Sequence, residues 1–476
     1  MEHEQKNIKQ NQASNEEPNF YEEIQEEEII DEASDRGILR KRIMQLAMPS
    51  LIELLLGTLF GMVDMVMVGQ VNKESLAAVG ITNQPTMLAL SVFQALNVGS
   101  TALIARYVGT DDTESASSVV KQTLILTFII GTLVSILGYV FAGSVINFMG
   151  AEPDVYPLAV TYLQIIALGG IFISISMGIG AALRGAGDTM TPMRYNLISN
   201  LLNVGMNYVL IYGKLGFPAM GVAGAAIATT LSRLVGMIMA LMAIYHPNSI
   251  LTLSEKKGIY FDFNVIERIL KIGIPSGIEQ FVLRLGQVEF ARTVAGLGTT
   301  VFAAHQIALN VFGLSFSPSQ AFGMAATTLV GQSLGAGRPD LAEKYGLETR
   351  RIGMYVAVAI ASTFFFFGKP IASIYNRDAQ VIALAAGCFK IIALMQPMQS
   401  TQFILAGALR GAGDTRGPLF ATVVGIWGIR VLFAKIFINM GFGLFGAWTA
   451  QALDQIFRSV FIYIRYNLGK WKHIKV

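Results

Sequence analysis

The chain has 476 residues, 53% of them hydrophobic and only 14% charged, with a net charge of +3 and a mean hydropathy of +0.53. A soluble domain carries about a quarter charged residues, so a soluble globular protein is excluded; the small net charge says little, because its placement matters more, and no nucleic-acid partner is expected. The single cysteine, Cys388, excludes a disulfide framework.

The amino terminus is polar and acidic, with Glu22, Glu23, Glu26, Glu27 and Glu28 close together. Residues 1–36 read as a disordered cytoplasmic tail, and no cleavable signal peptide precedes the first apolar segment. About twelve apolar stretches follow, each long enough to cross a bilayer, near 43–68, 77–105, 120–142, 155–181, 191–213, 219–245, 267–291, 301–331, 351–374, 380–408, 418–440 and 444–466. Gly and Ala recur inside them, as small residues do where helices pack closely in lipid. The predicted fold class is therefore an all-α polytopic membrane protein. Arg and Lys cluster in the even-numbered connections and near the ends, for instance Arg40, Arg106, Arg184, Arg268, Arg350, Arg410 and Lys470. The positive-inside rule then places both termini in the cytoplasm.

An octapeptide, Ala-Leu-Arg-Gly-Ala-Gly-Asp-Thr, occurs at 182–189 and again 226 positions later at 408–415. Pro49 and Pro275, Glu53 and Glu279, Thr101 and Thr327, and Gly109 and Gly335 are paired at the same interval. The chain is a tandem duplication: a tail, a six-helix lobe over 37–250 and a second over 251–476. An even number of spans per half makes the halves parallel repeats, and such proteins place a substrate site in the cleft between them. The octapeptide's glycines read as a tight turn, with Asp188 or Asp414 capping the next helix.

No enzymatic constellation is present. The four histidines have no metal-ligand spacing, and no Gly-x-x-x-x-Gly-Lys-Ser/Thr loop points to a nucleotide, so no cofactor is expected. The informative groups are ionisable or amide side chains inside spans. Asp64 in span one can exchange a proton or bind a hard cation such as Na⁺, or it can simply pack through a hydrogen bond to a neighbouring helix. Asn203 and Asn207, four apart in span five, share a helix face and are plausible partners, and Thr229 in span six could add a hydroxyl. The second half replaces Asp64, Asn203 and Asn207 by Phe290, Ile429 and Phe433, which confines coupling to the first half. Glu53 and Glu279 are placed at the cleft, as substrate carboxylates or structural ones. Met62, with Phe60, Met65 and Phe281, suits flat apolar ligands. Pro49 and Pro275 are candidates for helix bending. Pairing of Arg430 or Arg458 with Asp454 accounts for the ionic residues near the carboxyl terminus.

Together these residues resemble the MATE family, the multidrug and toxic compound extrusion transporters, over about 36–470. The carrying motifs are Pro49 followed by Asp64, the paired Leu-Arg-Gly-Ala-Gly-Asp-Thr segments, and Gly-Val-Ala-Gly-Ala-Ala-x-Ala-Thr at 221–229. The resemblance implies two six-helix lobes around a central cleft, in a multi-pass protein of the cell membrane that acts as a monomer. It implies H⁺- or Na⁺-driven antiport of amphipathic, mostly cationic drugs. It matches Asp64 to an essential first-helix carboxylate, Asn203 and Asn207 to a fifth-helix pair, Thr229 to a sixth-helix hydroxyl, and Pro49 to the bend in helix one. Relatives with a second-lobe Na⁺ site use acids in spans seven and ten, whereas span ten here has only Gln396, Gln399 and Gln402. A flippase for lipid-linked sugars is the alternative; it would show a strongly cationic cavity.

Overall fold

The computed structural model describes residues 35–246, 251 and 261–474. The acidic tail lies outside the described residues. The first lobe contains α1 (Arg36–Gly69), α2 (Lys73–Gly109), α3 (Thr113–Val140), the short α4 (Ala142–Phe148), α5 (Tyr156–Leu168), α6 (Gly170–Gly185), α7 (Met190–Tyr212) and α8 (Gly221–Tyr245). The second contains α9 (Phe263–Ala295), α10 (Thr299–Gly335), α11 (Pro339–Tyr375), α12 (Ala379–Gly411), α13 (Arg416–Val423), α14 (Leu432–Phe437) and α15 (Gly443–Asn467). Wide π-type turns at Val424–Val431 and Ile438–Phe442 continue α13 and α14. Among the described residues there are no strands.

Seven helical runs are long and apolar enough to cross a membrane, or eight when α5 and α6, bent by 44° at Gly169, form one broken span. The run from Arg416 to Asn467 is one of the seven, yet it is two spans. Gly441 (φ 88°) and Gly443 (φ 53°) adopt left-handed backbone there, and α15 packs back on α14. Helices α7, α9 and α10 are equally able to span, at 23, 33 and 37 residues. Their amide, hydroxyl and ionic side chains dilute their hydropathy. The result is six crossings per lobe, as the apolar pattern indicates.

Among the described residues, several helices are capped by the residues that favour caps. Asp35, Asn72 and Asp112 accept the backbone N–H of Gly37, Ser75 and Ser115 at the starts of α1, α2 and α3. The octapeptide turns behave as their sequence suggests. Gly187 and Gly413 have φ of 94° and 87°, which glycine tolerates best. Asp188 accepts the Thr191 N–H at 2.9 Å, and Asp414 the Gly417 N–H at 3.3 Å.

The two lobes exchange their first helices at one end. Leu39, Ile43, Leu46 and Ala47, before Pro49 on α1, sit in the core of the second lobe beside Phe322, Leu329 and Leu405. Ile269 and Ile272, before Pro275 on α9, sit in the core of the first lobe beside Leu103, Ile104 and Leu183. Beyond the prolines each helix returns to its own lobe: Val68 packs on Ile211 and Val222, and Phe290 on the Trp448 cluster. Neither proline interrupts its helix.

Backbone contact without side chains makes this seam. A Cβ on Gly109 would strike the Gln332 carbonyl, and one on Gly335 would strike the Arg106 carbonyl. These repeat mates face each other across the pseudo-twofold axis. Lobe-to-lobe hydrogen bonds gather at the same end. Thr328 donates to the Arg184 carbonyl at 2.9 Å and Gln332 to the Gly185 carbonyl at 3.1 Å. Arg40 pairs with Glu348 at 2.7 Å, Arg268 donates to the Tyr107 hydroxyl at 2.5 Å, and Arg106 to the Ile474 carbonyl at 2.8 Å. The basic end of the molecule is thus the closed end in this conformation.

Candidate coupling site in the first lobe

Helices α1 and α7 run side by side with the same register along most of their length. From the closed end outward, Gln45 meets Thr189, Glu53 meets Asn196, Asp64 meets Asn207, and Met67 with Gln70 meets Tyr212. Each rung pairs a polar side chain with a partner that needs one, as burial between helices demands.

The Asp64 rung brings together all four residues singled out in the first half. The Asn207 amide donates to Asp64 Oδ1 at 2.6 Å. The Asn203 amide fits its surroundings with its nitrogen toward α1, donating to the two Asp64 oxygens at 2.9 and 3.1 Å. Its oxygen then accepts from the Thr229 hydroxyl and backbone N–H, both at 3.2 Å. Asn203 and Asn207 are 5% and 1% exposed, whereas Asp64 is only partly buried. Asp64 therefore forms the accessible rim of a site whose floor is neutral. Asn207 Oδ1 is buried and, among the described residues, has no donor. Its amide nitrogen faces Asp64, so a half-turn of the amide would bring this acceptor to the carboxylate, an arrangement that a cation or a transferable proton would complete. Among the described residues no three His, Cys, Asp or Glu side chains gather as a metal cluster. One carboxylate with neutral oxygens suits a singly charged ion such as Na⁺ better than a divalent one.

Two residues beside Asp64 escape a reading of the sequence. Tyr162 on α5 and Arg233 on α8 both interact electrostatically with Asp64. Arg233 lies inside a span, where a census of basic loops passes over it. A lone arginine in apolar sequence was the available signal.

The equivalent place in the second lobe is sealed. Phe290 and Phe433, the counterparts of Asp64 and Asn207, belong to one apolar cluster with Trp448 and Leu444. His305 is fully buried among the rings of Phe290, Phe302 and Trp448.

Glu53 and Glu279 are already engaged, each by the arginine of its own octapeptide. Arg410 grips Glu279 with contacts of 2.7 and 2.8 Å, and Thr422 donates to it at 3.2 Å. Arg184 stands 3.6 Å from Glu53, which accepts from Asn196 at 2.7 Å. Asn196 and Thr422 are themselves repeat mates. Glu279 is 2% exposed, while Glu53 is partly buried and Met62 exposed. Asp454 is held by both Arg430 and Arg458, as their placement suggests.

Comparison with known proteins agrees with this architecture. The MatE family model matches twice, at residues 49–209 and 275–436. The probable multidrug resistance protein NorM of Thermotoga maritima is 33% identical over 436 residues, covering 91% of this chain and 93% of its own. The multidrug resistance protein PmpM of Pseudomonas aeruginosa is 32% identical, covering 82% of each chain. A solved MATE in complex with MaL6 shares the fold, with a TM-score of 0.85 and 23% identity over 91% of this chain and 97% of that one. The fold is also that of a MOP superfamily transporter from Pyrococcus furiosus, described as having a binding pocket of reversed polarity, at a TM-score of 0.85 and 24% identity over 90% of this chain and 95% of that one. The chain belongs to the MATE family of membrane transporters, a family of multidrug efflux proteins rather than enzymes.

Proposed function

We propose that the chain is a cation-coupled antiporter that exports amphipathic, mostly cationic compounds by alternating access, with Asp64 as the coupling carboxylate. The observation that carries the reading is the Asp64–Asn207–Asn203–Thr229 cluster with its one unsatisfied oxygen. In the state described, both amides point N–H groups at Asp64, the pattern an ionised carboxylate asks for. Rotating the amides by half a turn would present Asn203 and Asn207 oxygens instead. Those oxygens, with Asp64 and the Thr229 hydroxyl, would hold Na⁺; alternatively, one would accept a hydrogen bond from protonated Asp64. The same residues thus serve either ion, and no cofactor enters the cycle.

Because α1 carries Asp64 beyond Pro49 and feeds the opposite lobe before it, a change at the ion rung reaches the lobe seam through one helix. Pro49, which lacks one helical hydrogen bond, is the point where we place the flexing of α1. Glu53 and Glu279 are assigned to holding helices rather than to substrate, since their octapeptide arginines already occupy them. The orientation with both termini cytoplasmic makes the described state open outward. The test is dye transport by the purified monomer in vesicles with imposed Na⁺ or pH gradients. Lipophilic cations are expected to compete. Competition by sugar-phosphate lipids instead would move the reading to a flippase.

A further inference from the structure

Arg233 lies one turn beyond Thr229 on α8. Thr229 meets Asn203 on α7, and its neighbour Thr230 donates to the Ile165 carbonyl on α5 at 3.0 Å. The face of α8 that carries Arg233 is therefore wedged between α7 and α5. Helical side chains lean toward the amino end of their helix, which brings the guanidinium back toward the level of Thr229 and Asp64.

The two fully buried arginines in spans, Arg430 and Arg458, are tied to Asp454, and the partly buried Arg410 to Glu279, while the partly buried Arg284 on α9 meets only Gln287, at 3.5 Å. Arg233 is only partly buried and, among the described residues, forms no hydrogen bond or ion pair. Its charge nevertheless acts on the Asp64 carboxylate and on the Tyr162 hydroxyl. Asp64 from α1, Tyr162 from α5 and Arg233 are the charged or titratable groups that meet there, while α7 brings only amides. Arg233 forms no ion pair with Asp64, which already has two amide donors, so the guanidinium acts on the carboxylate through space and not as a structural salt bridge.

We propose that Arg233 is a resident counter-charge of the coupling site, a positioning residue that balances ionised Asp64 and competes with the incoming cation. This rests on reading Asp64 as the coupling carboxylate. With Arg233 present the empty site is neutral overall and the loaded site carries +1, so the coupling cation binds reversibly and leaves readily. Without it the empty site carries −1 and holds the cation.

Removing one charge within about 10 Å at an effective dielectric near 20 is worth roughly tenfold in affinity for a monovalent ion. The experiment uses the full chain in proteoliposomes, with dye transport followed as Na⁺ is titrated at fixed pH and as pH is titrated without Na⁺. Arg233→Gln is expected to lower the half-saturating concentration of the coupling cation about tenfold, and Arg233→Lys to stay within about twofold of the parent. Should Arg233→Gln not survive purification, Arg233→Met removes the same charge and takes its place. An unchanged half-saturation in the neutral variants overturns the proposal. So does an equal shift in Arg233→Lys, which would mark a packing effect. Asp64→Asn is measured in parallel. If it still couples transport to the gradient, the coupling reading itself fails, and that outcome is distinct from a silent Arg233.

Discussion

Asn207 follows Asp64 by the same 143 residues that separate Asn196 from Glu53, and both pairs are hydrogen-bonded, at 2.6 and 2.7 Å. The Asp64 rung and the arginine-clamped rung are therefore steps of one ladder between α1 and α7. The second lobe keeps the lower step, Glu279 with Thr422 at 3.2 Å, and fills the upper one with Phe290 and Phe433. One duplicated scaffold thus holds one polar site and one plugged copy.

Asymmetry of ion dependence follows. Asn203→Ala or Asn207→Ala removes a donor to Asp64 and an oxygen for the ion, so the half-saturating cation concentration should rise by about tenfold, the worth of one charged hydrogen bond. Phe433→Ala or Ile429→Ala removes apolar packing at a partly buried position and costs stability of about 1–2 kcal/mol, with little change in ion dependence. Cation titrations of dye transport distinguish the two sets. Equal shifts in half-saturation from both would place the ion elsewhere.

The two glutamate clamps should differ in stability. Glu279→Ala leaves Arg410 without its bidentate partner in a buried setting, a loss of about 3–5 kcal/mol. Glu53→Ala loses a looser 3.6 Å contact at a half-buried site and should cost clearly less. Thermal unfolding of the purified variants in detergent checks the order: the larger fall in Tm belongs to Glu279→Ala.

The seam at Gly109 and Gly335 is set by backbone contact. Gly109→Val is expected to push the lobes apart at the closed end, at a cost of about 1–3 kcal/mol for overpacking. A cysteine placed at Gln332 reports this through its labelling rate with a maleimide, and the native Cys388 is buried. Faster labelling in the Gly109→Val background is the expected result; an unchanged rate would mean that the seam absorbs the side chain without opening.

Much of this was legible in the sequence. The duplication showed because the register of 226 survives across both halves, and the spans because lipid leaves few ways to hide charge. Asp64, Asn203, Asn207 and Thr229 showed as polar groups where burial is costly. Besides Tyr162 and Arg233, three features were not legible. The exchange of α1 and α9 between lobes depends on packing of ordinary apolar residues such as Ile43 and Ile269, which look the same in any core. The engagement of Glu53 and Glu279 by Arg184 and Arg410 joins residues 131 apart that no local spacing connects. The break at Gly169 and the reversal at Gly441 rest on backbone angles at glycines, in a chain that has 48 of them.

The proposed coupling of efflux to a cation gradient through Asp64 is tested by lipophilic-cation transport in proteoliposomes holding the parent or Asp64→Asn, with an inward Na⁺ or proton gradient imposed and then collapsed. Gradient-dependent transport is expected of the parent and none of Asp64→Asn, at equal protein content and equal Tm. Gradient-driven transport by Asp64→Asn at the parent's rate would contradict it.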